Sequence, residues 1–104
     1  MAVIQSNDSD IQATLNSNER VIIKFYAEWC GSCKLIAPKY KRLSNDEQYS
    51  SIIFLEVDAE NNPTARKLAN VNTLPYFATF KNGKLINEVS TSKEEGIVNL
   101  LNEL

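Results

Sequence analysis

Two stretches of the chain are apolar at almost every position, "RVIIKFYA" (20–27) and "SIIFLEVD" (51–58). Both are rich in β-branched and aromatic residues, and both have the length of strands buried on two faces. Each carries one discordant charge inside it, Lys24 and Glu56. From Gly31 to about Glu47 the period changes. Ile36, Tyr40 and Leu43 recur at helical spacing, joined by Cys33, Ala37 and Glu47. Pro38 falls inside this run and predicts a kink, because proline removes one i to i−4 bond and crowds the preceding turn.

Shorter patterns fill the rest. "AVIQ" (2–5) predicts a short strand, and "SNDSDIQATLNS" (6–17) a short helix with Ile11 and Leu15 on one face. In "NNPTARKLAN" (61–70), Asn62 is placed to cap and Pro63 to occupy the first helical position, with Ala65, Leu68 and Ala69 forming one face. "PYFATF" (75–80) and "KLINEV" (84–89) flank "KNG" (81–83), a hairpin with Asn82-Gly83 at its turn. Ser92 and Glu95 have capping-box spacing ahead of a last helix containing Ile97, Val98, Leu101 and Leu104. The order is β-α-β-α-β-α-β-β-α. Helical connections favour parallel pairing of the first three strands, and only the last two suit a tight hairpin. The expected fold class is α/β, with helices covering both faces of a mixed sheet.

Composition narrows the picture. With 104 residues and 43% hydrophobic content, one domain spanning 1–104 can build a core without staples or metal. The formal net charge of −2 and the lack of a Lys/Arg stripe argue against nucleic-acid binding. "YKR" (40–42) reads as a solvated helix face. The apolar runs are far too short to span a bilayer, and no signal segment opens the chain, which points to the cytosol. There is no histidine at all, so imidazole catalysis and histidine metal sites are excluded.

Both cysteines lie in "EWCGSCKL" (28–35). Zinc wants three or four protein ligands, and none stands at ligand spacing beside the pair. As a structural staple the pair closes a loop too short to matter. The context suits electron exchange better. A strand precedes the motif and a helix follows it, so Cys30 sits where unpaired N–H groups and the helix dipole favour a thiolate. Cys33 lies one turn on, within reach of a mixed disulfide at Cys30. Cys30 is expected to face solvent and Cys33 to point under the first turn. Gly31 lets a partner approach, Ser32 can donate a hydroxyl hydrogen bond, and Trp29 offers a flat apolar contact or simply packs.

Here the chain resembles a known family, the thioredoxins. "FYAEWCGSCK" (25–34) is similar to the family's active-site run, with Cys-Gly-Ser-Cys where proline usually stands at position 32. Pro38 matches the family's helix proline, "FLEVDAENNPTARKLANV" (54–71) its third strand and following helix, and "TLPYFATFKNGK" (73–84) its cis-proline segment and turn. The resemblance implies a thioredoxin fold, a mixed five-stranded sheet flanked by four helices. It implies thiol-disulfide exchange that reduces protein disulfides, with Cys30 as nucleophile and Cys33 as resolving thiol, and no bound cofactor. Trp29, Leu74, a cis Pro75, Tyr76, Ser90 and Thr91 would line the substrate groove. An upstream flavin-containing thioredoxin reductase would supply electrons, disulfide-containing proteins would be substrates, and the chain would act as a monomer without nucleic acid or membrane. Asp58 and Asn61 are given no catalytic role.

The chain departs from the pattern at three places. Ser32 replaces proline. Ser90-Thr91 stands where many relatives have glycine, and side chains there would narrow the groove. Lys24 replaces the buried aspartate that serves proton transfer to the resolving cysteine. Strand alternation puts Lys24 on the face of Ile22 and Tyr26; the resemblance implies that the active-site helix covers this face, where a bare ammonium is costly. Glu56 is the expected partner, Glu28 a second choice, and snorkelling to water the bland alternative. An oxidase or isomerase of the same fold and a non-catalytic binding module remain alternatives to the reductase.

Overall fold

The computed structural model describes residues 2–104. Five strands form one mixed sheet: β1 (Ile4–Gln5), β2 (Arg20–Tyr26), β3 (Ile53–Asp58), β4 (Tyr76–Lys81) and β5 (Lys84–Ser90), in the order β1-β3-β2-β4-β5. β1 and β2 run parallel to β3, whereas β4 is antiparallel to β2 and β5. Four helices complete the fold, α1 (Ile11–Ser17), α2 (Gly31–Ser44), α3 (Pro63–Arg66) and α4 (Glu94–Asn102), with a short 3-10 helix at Glu47–Tyr49.

Strand alternation divides the core in two. Val21, Ile23 and Phe25 of β2 pack with Leu55, Val57, Ala78 and Phe80 beneath Ile11, Leu15 and Ala65 of α1 and α3. Ile22 packs with Phe54 and Phe77 on the opposite face, beneath Ile36, Tyr40 and Leu43 of α2 and Ile97, Leu100 and Leu101 of α4. At the hairpin tip Asn82 and Gly83 both have positive φ, 53° and 81°, the backbone a two-residue turn needs between right-twisted strands.

Several boundaries are shorter than the patterns predict. Of residues 2–5 only Ile4 and Gln5 pair with β3. α2 runs through Pro38 and stops at Ser44, not near Glu47. Asn45 and Asp46 end it, because Asp46 turns its carboxylate onto the Gln48 N–H and starts the 3-10 turn instead. β3 begins at Ile53, since the Ile52 N–H is taken by the Tyr49 carbonyl. β4 begins at Tyr76, one residue after the proline.

α3 is only one turn, and Leu68 and Ala69 continue it through tighter i to i−3 bonds that still bring them to the core. The Ser92/Glu95 capping box does not form. Lys93 is the N-cap residue and caps with no side chain, and its own N–H goes to Thr91 Oγ1 at 3.0 Å.

Asn62 also caps nothing locally. Its side chain instead accepts from the Asp8 N–H and donates to the Asp58 carbonyl. The free N–H groups of α3 are satisfied from the other end of the chain, where the Asp8 carboxylate accepts from Thr64 N (3.2 Å) and Ala65 N (2.7 Å). A charged acceptor at a helix N-terminus meets both the unpaired donors and the dipole. Asp8→Ala is therefore expected to lower unfolding stability by about 1–2 kcal/mol in urea titration. A change under about 0.3 kcal/mol would mean that water replaces the cap at no cost.

Candidate functional site

The site hangs from the C-terminal end of β2. Tyr26 ends the strand, Ala27 turns the chain, and α2 starts at Gly31 with Cys30 as its N-cap residue. Cys30 and Cys33 form a disulfide with Cα atoms 5.3 Å apart. The two sulfurs are not equivalent. Cys30 Sγ accepts the Cys33 N–H at 3.2 Å and lies 3.4 Å from Ser32 Oγ, so it takes the capping role at a helix N-terminus. Those donors favour negative charge on Cys30.

Exposure does not distinguish the pair as expected. Cys30 and Cys33 are each 4% exposed, packed with Ala27, Tyr26 and Leu74. In the oxidised state Cys30 does not face solvent: it is bonded to Cys33, accepts the Cys33 N–H and packs against Tyr26 and Leu74. What is open lies around it. Gly31 is exposed, and a side chain built there would meet nothing within 4 Å. Trp29 is 71% exposed, with its indole N–H donated to Glu60. That bond orients the ring at a small cleft lined by Glu28, Asp58, Glu60 and Asn61.

On the other side of the disulfide, a groove of about 330 Å³ is lined by Ser32, Leu74, Pro75, Ser90, Thr91, Ser92 and Lys93. The Leu74–Pro75 bond is cis. Leu74 packs against both the cysteine pair and the core under α1 and α3, which ties this loop to the site. Tyr76 points away from the groove into that same core. Its hydroxyl donates to Glu88 Oε1 at 2.7 Å, and the Asn70 backbone N–H and side-chain amide reach the same carboxylate at 2.8 Å each. The two ends of segment 70–76 are thereby clamped to β5. Burial works to raise the Glu88 carboxyl, but the Asn70 N–H, the Tyr76 hydroxyl and the Asn70 amide outweigh it and hold it below its usual value. Burial first, then the bond to Glu88 and its charge, push the Tyr76 phenol up to about 12, so it stays a donor. Sequence reasoning gave Glu88 and Asn70 no part in the site.

Beneath Cys33 lies a second cleft, lined by Lys24, Tyr26, Ala27, Glu28, Cys33, Lys34, Ala37 and Glu56. Lys24 is buried at 4% exposure, and its Nζ lies 3.2 Å from Glu56 Oε2. Cross-strand register puts the two residues side by side on β2 and β3. The ammonium also lies 5.3 Å from the ring centroid of Tyr40 and 5.6 Å from that of Tyr26, within cation–π range. Glu28 lines the same cleft but makes no ion pair with Lys24 among the described residues. Tyr40 also escaped the sequence reading as a site residue. Its ring packs on Phe54 and Phe77 and its hydroxyl reaches the Leu55 carbonyl at 2.8 Å and that of Ile22 at 3.2 Å, fixing α2 over β2 and β3. Burial pushes its phenol well above the ordinary range.

Comparison with known proteins agrees with this geometry. A family model described as thioredoxin matches residues 2–103. The chain is 30% identical to thioredoxin 1 of Plasmodium falciparum over 101 residues, which cover 97% of this chain and 95% of that protein. It is 40% identical over 80 residues to the chloroplastic thioredoxin F1 of Arabidopsis thaliana, covering 75% of this chain but only 43% of that protein's length. A chain in the crystal structure of a ferredoxin:thioredoxin reductase and thioredoxin f2 complex superposes with TM-score 0.87 at 30% identity, covering 98% of this chain and 94% of that one. The chain belongs to the thioredoxin family. It is a thiol-disulfide oxidoreductase that reduces protein disulfides through a Cys-X-X-Cys redox pair.

Two predictions arise from the charges around the site. The Lys24–Glu56 pair is asymmetric, since the lysine side chain is 5% exposed and the glutamate 30%. Glu56→Ala strands the buried ammonium and is expected to cost about 3 kcal/mol, while Lys24→Met leaves a carboxylate that water reaches and is expected to cost about 1 kcal/mol or less. Equal losses in urea titration would mean that the two charges are equally desolvated. For Glu88, a folded-state value below the usual 4.5 means that its stabilisation is fully present above that pH. It is lost as pH falls through the folded value. Glu88→Gln should therefore lower Tm at pH 7 and flatten the acid limb of the Tm profile. An acid limb identical to wild type would show that the clamp carries no linkage.

Proposed function

We propose how this thiol-disulfide oxidoreductase of the thioredoxin family divides the work between its two sulfurs. The Cys30 thiolate attacks one sulfur of a protein disulfide, forming a mixed disulfide and releasing the other substrate sulfur as a thiolate. Cys33 then attacks Cys30 Sγ, closing the internal disulfide and releasing the second substrate thiol. Two electrons pass to the substrate, and the Cys33 proton must leave before the second attack. The observation that carries this order is the asymmetry of the sulfurs. Cys30 holds the helix N-cap position and accepts the Cys33 N–H, and Cys33 lies one turn further along the helix.

The proton of Cys33 has a route suggested by the cleft it shares with Glu56 and Lys24. As an ammonium, Lys24 favours the Cys33 thiolate but cannot take its proton. Glu56 can, through a water in that cleft, with Lys24 holding it in place. The substrate is read as an extended segment around its cysteine, lying in the groove of Ser32, Leu74, Pro75, Ser90 and Thr91, with Trp29 contacting it on the far side. Tyr76 serves that groove from behind, by anchoring the loop.

Electrons reach the pair from an upstream reductase. The f2 complex with a ferredoxin:thioredoxin reductase supports a partner of that general kind. Our finer reading is a flavin-containing thioredoxin reductase, a monomeric chain and the cytosol, where thiols are kept reduced. Recycling by NADPH with a purified flavin reductase, set beside ferredoxin-dependent recycling, decides the donor.

The decisive experiment is trapping. Cys33→Ser is expected to hold disulfide substrates covalently through Cys30, and Cys30→Ser to hold none. Equal trapping by both would overturn the order of attack. In stopped-flow resolution of a preformed mixed disulfide at Cys30, Glu56→Gln should slow release about tenfold or more, with the initial attack changed far less. An unchanged release rate removes Glu56 from the proton path.

A further inference from the structure

Gly96 occupies the first turn of α4, between Glu95 and Ile97. Glycine inside a helix is unfavourable relative to alanine, so its presence there calls for a local reason. The structure supplies one. A Cβ at position 96 would lie 2.7 Å from Thr91 Cγ2, 3.0 Å from Thr91 Oγ1 and 3.1 Å from Thr91 Cβ. Thr91 is the first residue after β5, and it lines the groove beside the cysteine pair. Its side chain turns away onto the bare helix backbone at Gly96, and its hydroxyl oxygen is fixed there by the Lys93 N–H at 3.0 Å.

We propose that Gly96 is a specificity-determining residue that keeps the groove open by seating Thr91 against α4. The argument is steric. Threonine is β-branched and stiff at χ1. Rotation about χ1 can move Cγ2 but not Cβ, which would still lie 3.1 Å from the added methyl, so turning the side chain eases the clash without removing it. A side chain at 96 therefore pushes Thr91 by a few tenths of an ångström or more. α4 blocks one direction, and the open space is the groove facing Ser32, Leu74 and Pro75. A displacement of segment 90–93 in that direction also carries Ser90, whose hydroxyl is 3.5 Å from the Pro75 carbonyl. Gly96 itself does not line the groove, so it acts through Thr91 as a positioning residue. The inference rests on the reading of this groove as the place where protein substrates lie.

The test compares a protein disulfide with a small one. Insulin needs the groove, whereas 5,5′-dithiobis(2-nitrobenzoic acid) needs only access to the sulfur. For Gly96→Ala we expect KM for insulin to rise at least threefold, with the rate on the small disulfide unchanged. Adding Thr91→Gly in the same chain should restore KM. It should also give a higher Tm than Thr91→Gly alone, because alanine then favours the helix without a clash. Ser90→Trp, which adds bulk at the groove residue whose hydroxyl faces Pro75, is the control. If Ser90→Trp raises KM for insulin and Gly96→Ala does not, the seat is overturned while the groove stands. If Ser90→Trp leaves insulin reduction unchanged, substrates do not use the groove and both readings fall. If Gly96→Ala slows both disulfides equally, or Thr91→Gly fails to rescue, the effect is general disruption of the site and the proposal is wrong.

Discussion

Everything functional in this molecule depends on β2 being buried on every side. It is hydrogen-bonded to β3 on one edge and to β4 on the other, and residues 21–25 are all buried. A strand held in that way cannot twist or slide, so its C-terminal end is a fixed point. Ala27 and Cys30 leave that end within four residues, with the Cys30 N–H bonded to the Ala27 carbonyl and the Ala59 N–H to the Tyr26 carbonyl. α2 is fixed in turn from its middle. The Tyr40 hydroxyl reaches backbone carbonyls of both β2 and β3, which holds the helix axis over the same two strands that carry Lys24 and Glu56. A sulfur at the start of α2 is thus positioned by two anchors, one at the strand end and one through the helix.

The same burial explains why a lysine in this strand matters. An ammonium placed among Ile22, Phe54 and Phe77 with no partner would not be tolerated as a charge. Here one side faces a carboxylate and two sides face aromatic rings, and the pair borders the cleft beside Cys33 instead of closing into the core. The partial exposure of Glu56 is the useful part of the arrangement. A fully buried carboxylate would be expensive, and a fully exposed one could not stand near Cys33. The half-buried position leaves Glu56 on the wall of the cleft that Cys33 also lines. In the proposed relay, Lys24 supplies position and charge and Glu56 takes the proton.

Much of this was legible in sequence because it depends on local period. The two apolar strands, the helix starting at the cysteines, the positive-φ turn at Asn82-Gly83 and the placement of Lys24 beside Glu56 all come from alternation and spacing. What was hidden depends on register or on distant contacts. A two-residue turn with Lys81 opposite Lys84 would, in a regular hairpin, put Glu88 opposite Phe77 on the face of α2 and α4. The ladder instead shifts between Thr79 and Phe80, so Glu88 stands opposite Ala78 and shares the face of Tyr76. That one-residue bulge creates the Tyr76–Glu88–Asn70 cluster, and no local pattern announces it. The Asp8 cap of α3 spans more than fifty residues. Ser92 and Glu95 had the right spacing for a capping box, but Thr91 takes the Lys93 N–H and starts the helix differently. Cys30 was expected outside because of its place in the chain; in the disulfide it is buried with Cys33 against Ala27, Tyr26 and Leu74.

The two walls of the groove are held by different physics. One wall, Leu74 and Pro75, belongs to a loop whose ends are fixed by charge-assisted hydrogen bonds to Glu88. The other, Ser90 to Lys93, is fixed by close packing of Thr91 on Gly96 and by one neutral hydrogen bond. Protonation of Glu88 weakens the first and leaves the second untouched, since repulsion between carbon atoms does not titrate. Acid is therefore expected to act on the Leu74–Pro75 side first and not on the contact of Thr91 with Gly96. The cysteine pair sits on the frame of β2 and α2, so the sulfurs and the groove beside them are supported by separate parts of the fold.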